Sequence, residues 1–126
     1  MSDAVPFTQL GQKLKSVSMI TTGKMESNMK LELESLIVSG EINGNQGETA
    51  ASPKGVYNLL EYIDSLELKE TEVPPGKPPR GQTKFVLVYQ DGRELILGMN
   101  LNEEGLKYLE LDPAEFMQLR ERWMSM

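Results

Sequence analysis

The chain has no histidine and no cysteine among its 126 residues. That double absence removes His-based catalytic triads, thiol nucleophiles, disulfides and the Cys/His zinc sites of small domains. Carboxylates, hydroxyls, lysine and tyrosine remain for chemistry. Without cysteine there is no redox signature, so the sequence points to neither an oxidising nor a reducing compartment. No run approaches the roughly 18 apolar residues of a membrane-spanning helix. The start MSDAVPFTQLGQK also lacks the apolar core of an export signal. Membrane insertion is not expected; the location is extracytoplasmic if a leader has been trimmed from the chain and cytoplasmic otherwise. Positive charge is scarce as well: 13 basic residues against 19 acidic ones leave a formal charge of −6. That sign repels phosphate backbones and anionic lipid, so nucleic acid is not an expected partner. No cofactor motif stands out, and no cofactor is expected.

What is present is an ordinary globular composition, 39% hydrophobic and 25% charged. Its length suits one domain, since domains most often run about 100–150 residues. Residues 1–126 are therefore read as a single α+β domain, with 1–15 set apart as a loosely attached N-terminal segment.

The most legible stretch is Phe85–Met99, in which Asp91-Gly92 separates two β-rich runs. Asp-Gly suits a two-residue type I′ turn, because both central residues tolerate positive φ. Counting outward from such a turn sets Gln90 opposite Arg93, Val88 opposite Leu95, Leu87 opposite Ile96 and Val86 opposite Leu97. Both faces of this ribbon are apolar, so each calls for a cover.

Two helices are announced by their starts. Ser52-Pro53 supplies an N-cap and an N1 proline, followed by Val56, Leu59, Leu60 and Ile63 on one stripe, which predicts a helix over 53–65. Asp112-Pro113-Ala114-Glu115 spells a capping box, with Leu111 placed to staple to Phe116. Phe116, Leu119 and Trp123 then share a face, which predicts a helix over 113–124 with Trp123 in the core. Strands are read at Val17–Thr22, Leu66–Val73 and Leu106–Leu111. Over Lys30–Val38 the alternation favours a strand, although Met25, Met29, Leu33, Leu36 and Ile37 also satisfy a helical stripe, which leaves helix open for 24–38. Residues 40–49 and 74–81 read as loops by composition. The expected fold is a mainly antiparallel sheet with a central hairpin near 85–99, packed by the two helices.

Several segments invite functional readings. Pro75-x-x-Pro78-x-Arg80 has the spacing of a polyproline II ligand, although the same residues also serve to stiffen a connection. Glu41, Asn43, Asn45 and Glu48 crowd oxygen ligands together, but without the Asp-rich spacing and terminal Glu of a calcium loop. Gly47–Lys54 lacks the second glycine of a phosphate cradle. Glu32 with Glu34, and Glu61 with Asp64, are the carboxylate pairs on which a hydrolase without His or Cys would have to rely. Leu106 and Tyr108 lie on a strand of mixed amphipathicity, read as a sheet edge open to strand addition. The second apolar face of the hairpin requires either a partner or the N-terminal segment, where Phe7, Leu10 and Leu14 fall at helical spacing.

From Ser52 onward the order is a helix PKGVYNLLEYIDSLEL, a proline loop, the hairpin FVLVYQDGRELILG and then KYLELDPAEFMQLRERW. This order resembles small α+β domains of uncharacterised lipoprotein-like proteins of Gram-positive bacteria, over roughly residues 50–124. The resemblance implies a non-enzymatic extracytoplasmic module. The chain departs from that pattern in having no lipid-attachment cysteine and no signal sequence. These features together lead to the expectation of a binding or regulatory module rather than an enzyme. Its partner would be a protein or a second copy of the chain, engaged through a sheet edge or the apolar face beside the hairpin. The alternative is the carboxylate-dependent hydrolase.

Overall fold

A computed structural model describes residues 14–67, 69–76 and 81–126. Among the described residues the chain forms β1 (Leu14–Thr22), β2 (Ser27–Glu32), β3 (Ile37–Ile42), β4 (Asn45–Ala50), α1 (Pro53–Ser65), β5 (Glu70–Glu72), β6 (Gln82–Tyr89), β7 (Glu94–Gly98), β8 (Lys107–Glu110) and α2 (Pro113–Met124). The strands join in one sheet in the order β4-β3-β2-β1-β6-β7-β8-β5. Every pairing is antiparallel except β7 with β8. This is the single α+β domain the sequence predicts, with both helices at the expected bounds.

The helices bury one face of the sheet. Val56, Leu59 and Ile63 of α1, with Leu119 and Trp123 of α2, share a buried cluster with Val17, Leu31, Val38, Phe85, Leu87, Leu97 and Leu109. These strand residues sit at alternate positions, so period two turns all of them to one side. Each helix starts as its sequence requires. The Ser52 hydroxyl accepts from the Gly55 N–H, and Asp112 and Glu115 close a reciprocal capping box. Phe85 lies at the centre, edge-on to Phe116 and Trp123 at ring separations of 6.0 and 6.5 Å. A smaller cluster of Val73, Leu101 and Tyr108, with Ile96 and Leu106 against it, is separate from this main core.

Five local expectations are corrected. The β6–β7 hairpin turns on three residues, Gln90–Gly92, rather than two. The Tyr89 N–H donates to the Arg93 carbonyl at 2.9 Å, and the Gly92 N–H to the Tyr89 carbonyl at 2.9 Å. Gly92 has φ +90°, whereas Asp91 does not take the positive φ that a type I′ turn requires. The Asp91 carboxylate holds this geometry by accepting from the Arg93 N–H and from its Nε. Each cross-strand pair therefore slips by one, to Phe85–Leu97, Val86–Ile96, Leu87–Leu95 and Val88–Glu94. The slip gathers Leu95 and Leu97 on the helix side with Phe85 and Leu87, and leaves Val86 and Ile96 opposite.

The segment Lys30–Val38 is not one strand but the end of β2, a tight turn at Leu33–Leu36 and the start of β3, with Leu36 at φ +56°. The region read as a loop at 40–49 is instead a hairpin, β3–β4. Its two-residue turn is Asn43-Gly44, with φ +51° and +82°. Of the N-terminal segment, Leu14 and Lys15 belong to β1, where Leu14 is buried; Phe7 and Leu10 lie outside the described residues. Finally, β8 is not an edge. It is flanked by β7 on one side and by β5, the strand formed from Leu66–Val73, on the other.

Candidate functional site

Among the described residues the sheet has one long free edge. Its last strand on one side is β5, three residues long; on the other it is β4, six residues long, and every residue of β4 is exposed. Within β3–β4 the Ala51 N–H donates to the Leu36 carbonyl at 2.8 Å. With Ile37 opposite Ala50, that bond makes Ile37 and Ala50 a non-hydrogen-bonded pair. By alternation, the N–H and C=O groups of Asn45, Gly47 and Thr49 then face β3, while those of Gln46, Glu48 and Ala50 point away from the sheet. β4 carries no proline, lysine or arginine, the residues that commonly blunt such an edge.

The hairpin that presents this edge is held close to β2. Asn43 and Glu26 exchange two bonds, the Glu26 N–H reaching the Asn43 side chain at 3.1 Å and the Asn43 N–H reaching the Glu26 carbonyl at 2.8 Å. Gly40, at φ +150°, lets β3 approach β2 so closely that a Cβ there would stand 1.9 Å from the Asn28 carbonyl oxygen. Beside the edge, Ser39, Gly40, Glu41, Gln46, Gly47 and Glu48 line an open groove of about 510 Å³. The Gln46 amide donates to Glu41 at 3.0 Å across its floor. No ion pair among the described residues engages Glu41 or Glu48.

The residues singled out from sequence do not assemble here. Pro75 is exposed in the loop after Val73, and Pro78 and Arg80 lie outside the described residues. Leu106 is half-buried and Tyr108 is buried, both in the smaller cluster. The Tyr108 hydroxyl donates to the Glu110 carboxylate and accepts from the Leu101 N–H at 3.2 Å, so this side chain fastens the β7–β8 crossover. Glu32 pairs with Lys30 at 3.1 Å, and Glu34 is exposed in the following turn. Of the four oxygen side chains considered for calcium, Glu41 and Glu48 fall on one face of the hairpin, Asn45 on the other, and Asn43 in the turn on Glu26. Alternation along the strands separates them. Among the described residues, no group of three or more acidic side chains is gathered as a metal site would need.

The remaining unusual carboxylate is Asp64 near the end of α1. One of its oxygens is buried without a hydrogen-bond partner among the described residues, as is the Tyr89 hydroxyl. Burial raises the Asp64 carboxyl above its ordinary value. It also pushes the Tyr89 phenol up to about 12, with Arg93, which lies 5.5 Å over the ring, pulling back. Because folding raises the Asp64 pKa, its contribution favours the folded state below the ordinary carboxylate range and is lost as pH rises through the raised value. Asp64→Asn is therefore expected to be more stable than the parent at neutral pH, with the two converging below the ordinary value of 3.8. Urea midpoints that coincide at neutral pH would show the carboxylate to be fully solvated.

No family model matches the chain, and no curated protein or solved structure matches it. Among the described residues, no helix is long and apolar enough to cross a membrane. The edge at β4 was hidden by composition, because Gly40–Thr49 is rich in Gly, Asn and Gln. The available signal was Asn43-Gly44, an Asn-Gly pair placed between two six-residue runs.

Proposed function

We propose that this chain is a non-enzymatic protein-binding module that takes an extended segment of another protein onto the free edge of β4. The observation that supports this reading is the row of outward N–H and C=O groups at Gln46, Glu48 and Ala50, on a strand exposed along its whole length. Strand addition satisfies such groups with main-chain hydrogen bonds, and alternate side chains then supply selectivity. The hairpin is anchored through Gly40 and the Asn43–Glu26 bonds, so the edge is preformed and little ordering entropy opposes docking.

A random display library of nine-residue peptides, selected on the intact chain, tests the proposal. Glu48→Pro serves as the discriminating variant: the N–H it removes points away from β3, so the internal ladder is kept while the edge loses a donor. Binders whose affinity collapses on Glu48→Pro are the expected result. Binders indifferent to that change, or a selection that yields none, would dismiss the reading.

A further inference from the structure

We infer that the segment docking on β4 is basic, with Lys or Arg at alternate positions along one face of the added strand. The inference rests on the edge-docking reading and names the chemistry of its occupant. From Ile37 to Ala50 the chain carries Glu41 and Glu48 and no basic residue. Both lie on the same face, because Glu41 is opposite Gln46 and Glu48 is two residues further along β4. They line the groove beside the edge with no ion pair among the described residues, whereas Glu32, Glu103 and Asp91 each have one.

A strand added to β4 forms its main-chain bonds at Gln46, Glu48 and Ala50, so its residues opposite Gln46 and Glu48 project on the same face as these carboxylates. Directly opposed side chains stand about 4.5–5.5 Å apart at Cβ, where opposite charges attract and like charges repel. A Lys or Arg opposite Glu48 meets its carboxylate, and one opposite Gln46 extends over the groove towards Glu41. The added strand's other face meets Asn45, Gly47 and Thr49, and nothing lies within 4 Å of where a Gly47 Cβ would stand. That gap leaves room for a branched side chain. The overall charge of −6 acts in the same sense, drawing a basic segment in and opposing a second copy of the chain.

Three capped nonapeptides alternating threonine with lysine, glutamine or glutamate separate the alternatives, titrated by calorimetry into the parent, Glu48→Gln and Glu48→Pro. The lysine peptide is expected to bind at least about tenfold more tightly than the glutamine peptide, a difference of about 1.4 kcal/mol. The glutamate peptide is expected not to bind. Glu48→Gln should shrink the lysine preference, and Glu48→Pro should abolish binding of both peptides at an unchanged urea midpoint. Equal affinity for lysine and glutamine peptides, both lost on Glu48→Pro, would keep the edge and overturn the charge assignment. Lysine-peptide binding that survives Glu48→Pro would overturn both, as diffuse attraction alone would explain it. Failure of the lysine peptide to bind overturns the basic occupant, with the edge itself then judged by the library selection. A dimer seen by light scattering of the parent alone, and dissolved by Glu48→Pro, would assign the edge to a second copy and overturn the inference.

Discussion

Replacing Trp123 with alanine is expected to destabilise the fold by about 3–5 kcal/mol, among the largest effects any single side chain here can produce. Trp123 is buried in the last turns of α2 and lies edge-on to Phe85, which is itself fully buried and also edge-on to Phe116. Its removal takes away the transfer free energy of the ring and also opens a cavity. Leu119, Ile63 and Val56 of the same buried cluster belong to helices capped at their starts, so collapse into the space is limited. With a urea slope of about 2 kcal/mol per molar, the middle of the usual range for small domains, the midpoint should fall by roughly 1.5–2.5 M. Far-UV circular dichroism is the appropriate probe, because Trp123 is the chain's single tryptophan. An unchanged midpoint would mean that Trp123 contributes contact surface rather than core.

Gly40→Ala is expected to cost about 3 kcal/mol or more, for a different reason. The added Cβ would stand 1.9 Å from the Asn28 oxygen and 2.9 Å from the Asn28 carbonyl carbon and the Met29 Cα, all backbone atoms of β2. Backbone cannot yield without breaking the β2–β3 ladder, and φ +150° is itself unfavourable for alanine. Hydrogen exchange should show protection lost over 37–50 while β6 and β7 keep theirs. Gly47→Ala is the control on the paired strand: its Cβ meets nothing within 4 Å, so that variant should stay within about 1 kcal/mol of the parent. If the two variants melted alike, close approach of β3 to β2 would not be what holds the hairpin.

The two helices were legible because their signals are local. An N-cap, an N1 proline and a stripe at helical spacing act within one or two turns, and Pro53–Ser65 and Pro113–Met124 carry all three. The core side of the sheet was not legible, since both faces of the 85–99 ribbon read as apolar and the expected register set Leu87 and Leu97 on opposite faces, whereas both lie on the helix side. Nor was the candidate edge. β3 and β4 bury almost nothing apart from Val38, so no hydrophobic alternation marked them, and Gly40 to Thr49 had the composition of a loop. The proline segment and the Leu106–Leu111 strand attracted notice for their patterns, yet strand order decides which strand is an edge, and pairing with β5 removed β8 from that role.

The sequence by itself determined the class of the domain, the bounds of both helices, the presence of a hairpin around Asp91-Gly92 and the exclusion of His- and Cys-based chemistry. Each follows from residue identity or from interactions a few positions apart. Tertiary structure decided the hairpin register, the strand order and the free edge. The register turned on Arg93 bonding Asp91 and stacking on Tyr89, which stabilises a three-residue loop that sequence preference ranks below two. Strand order turned on which pairings let one face meet both helices at once, a condition set by β1 pairing with β6 across some 60 residues of chain. That pairing occupies the outer side of β1, so among the described residues β4 pairs with β3 alone and stands at the edge of the sheet.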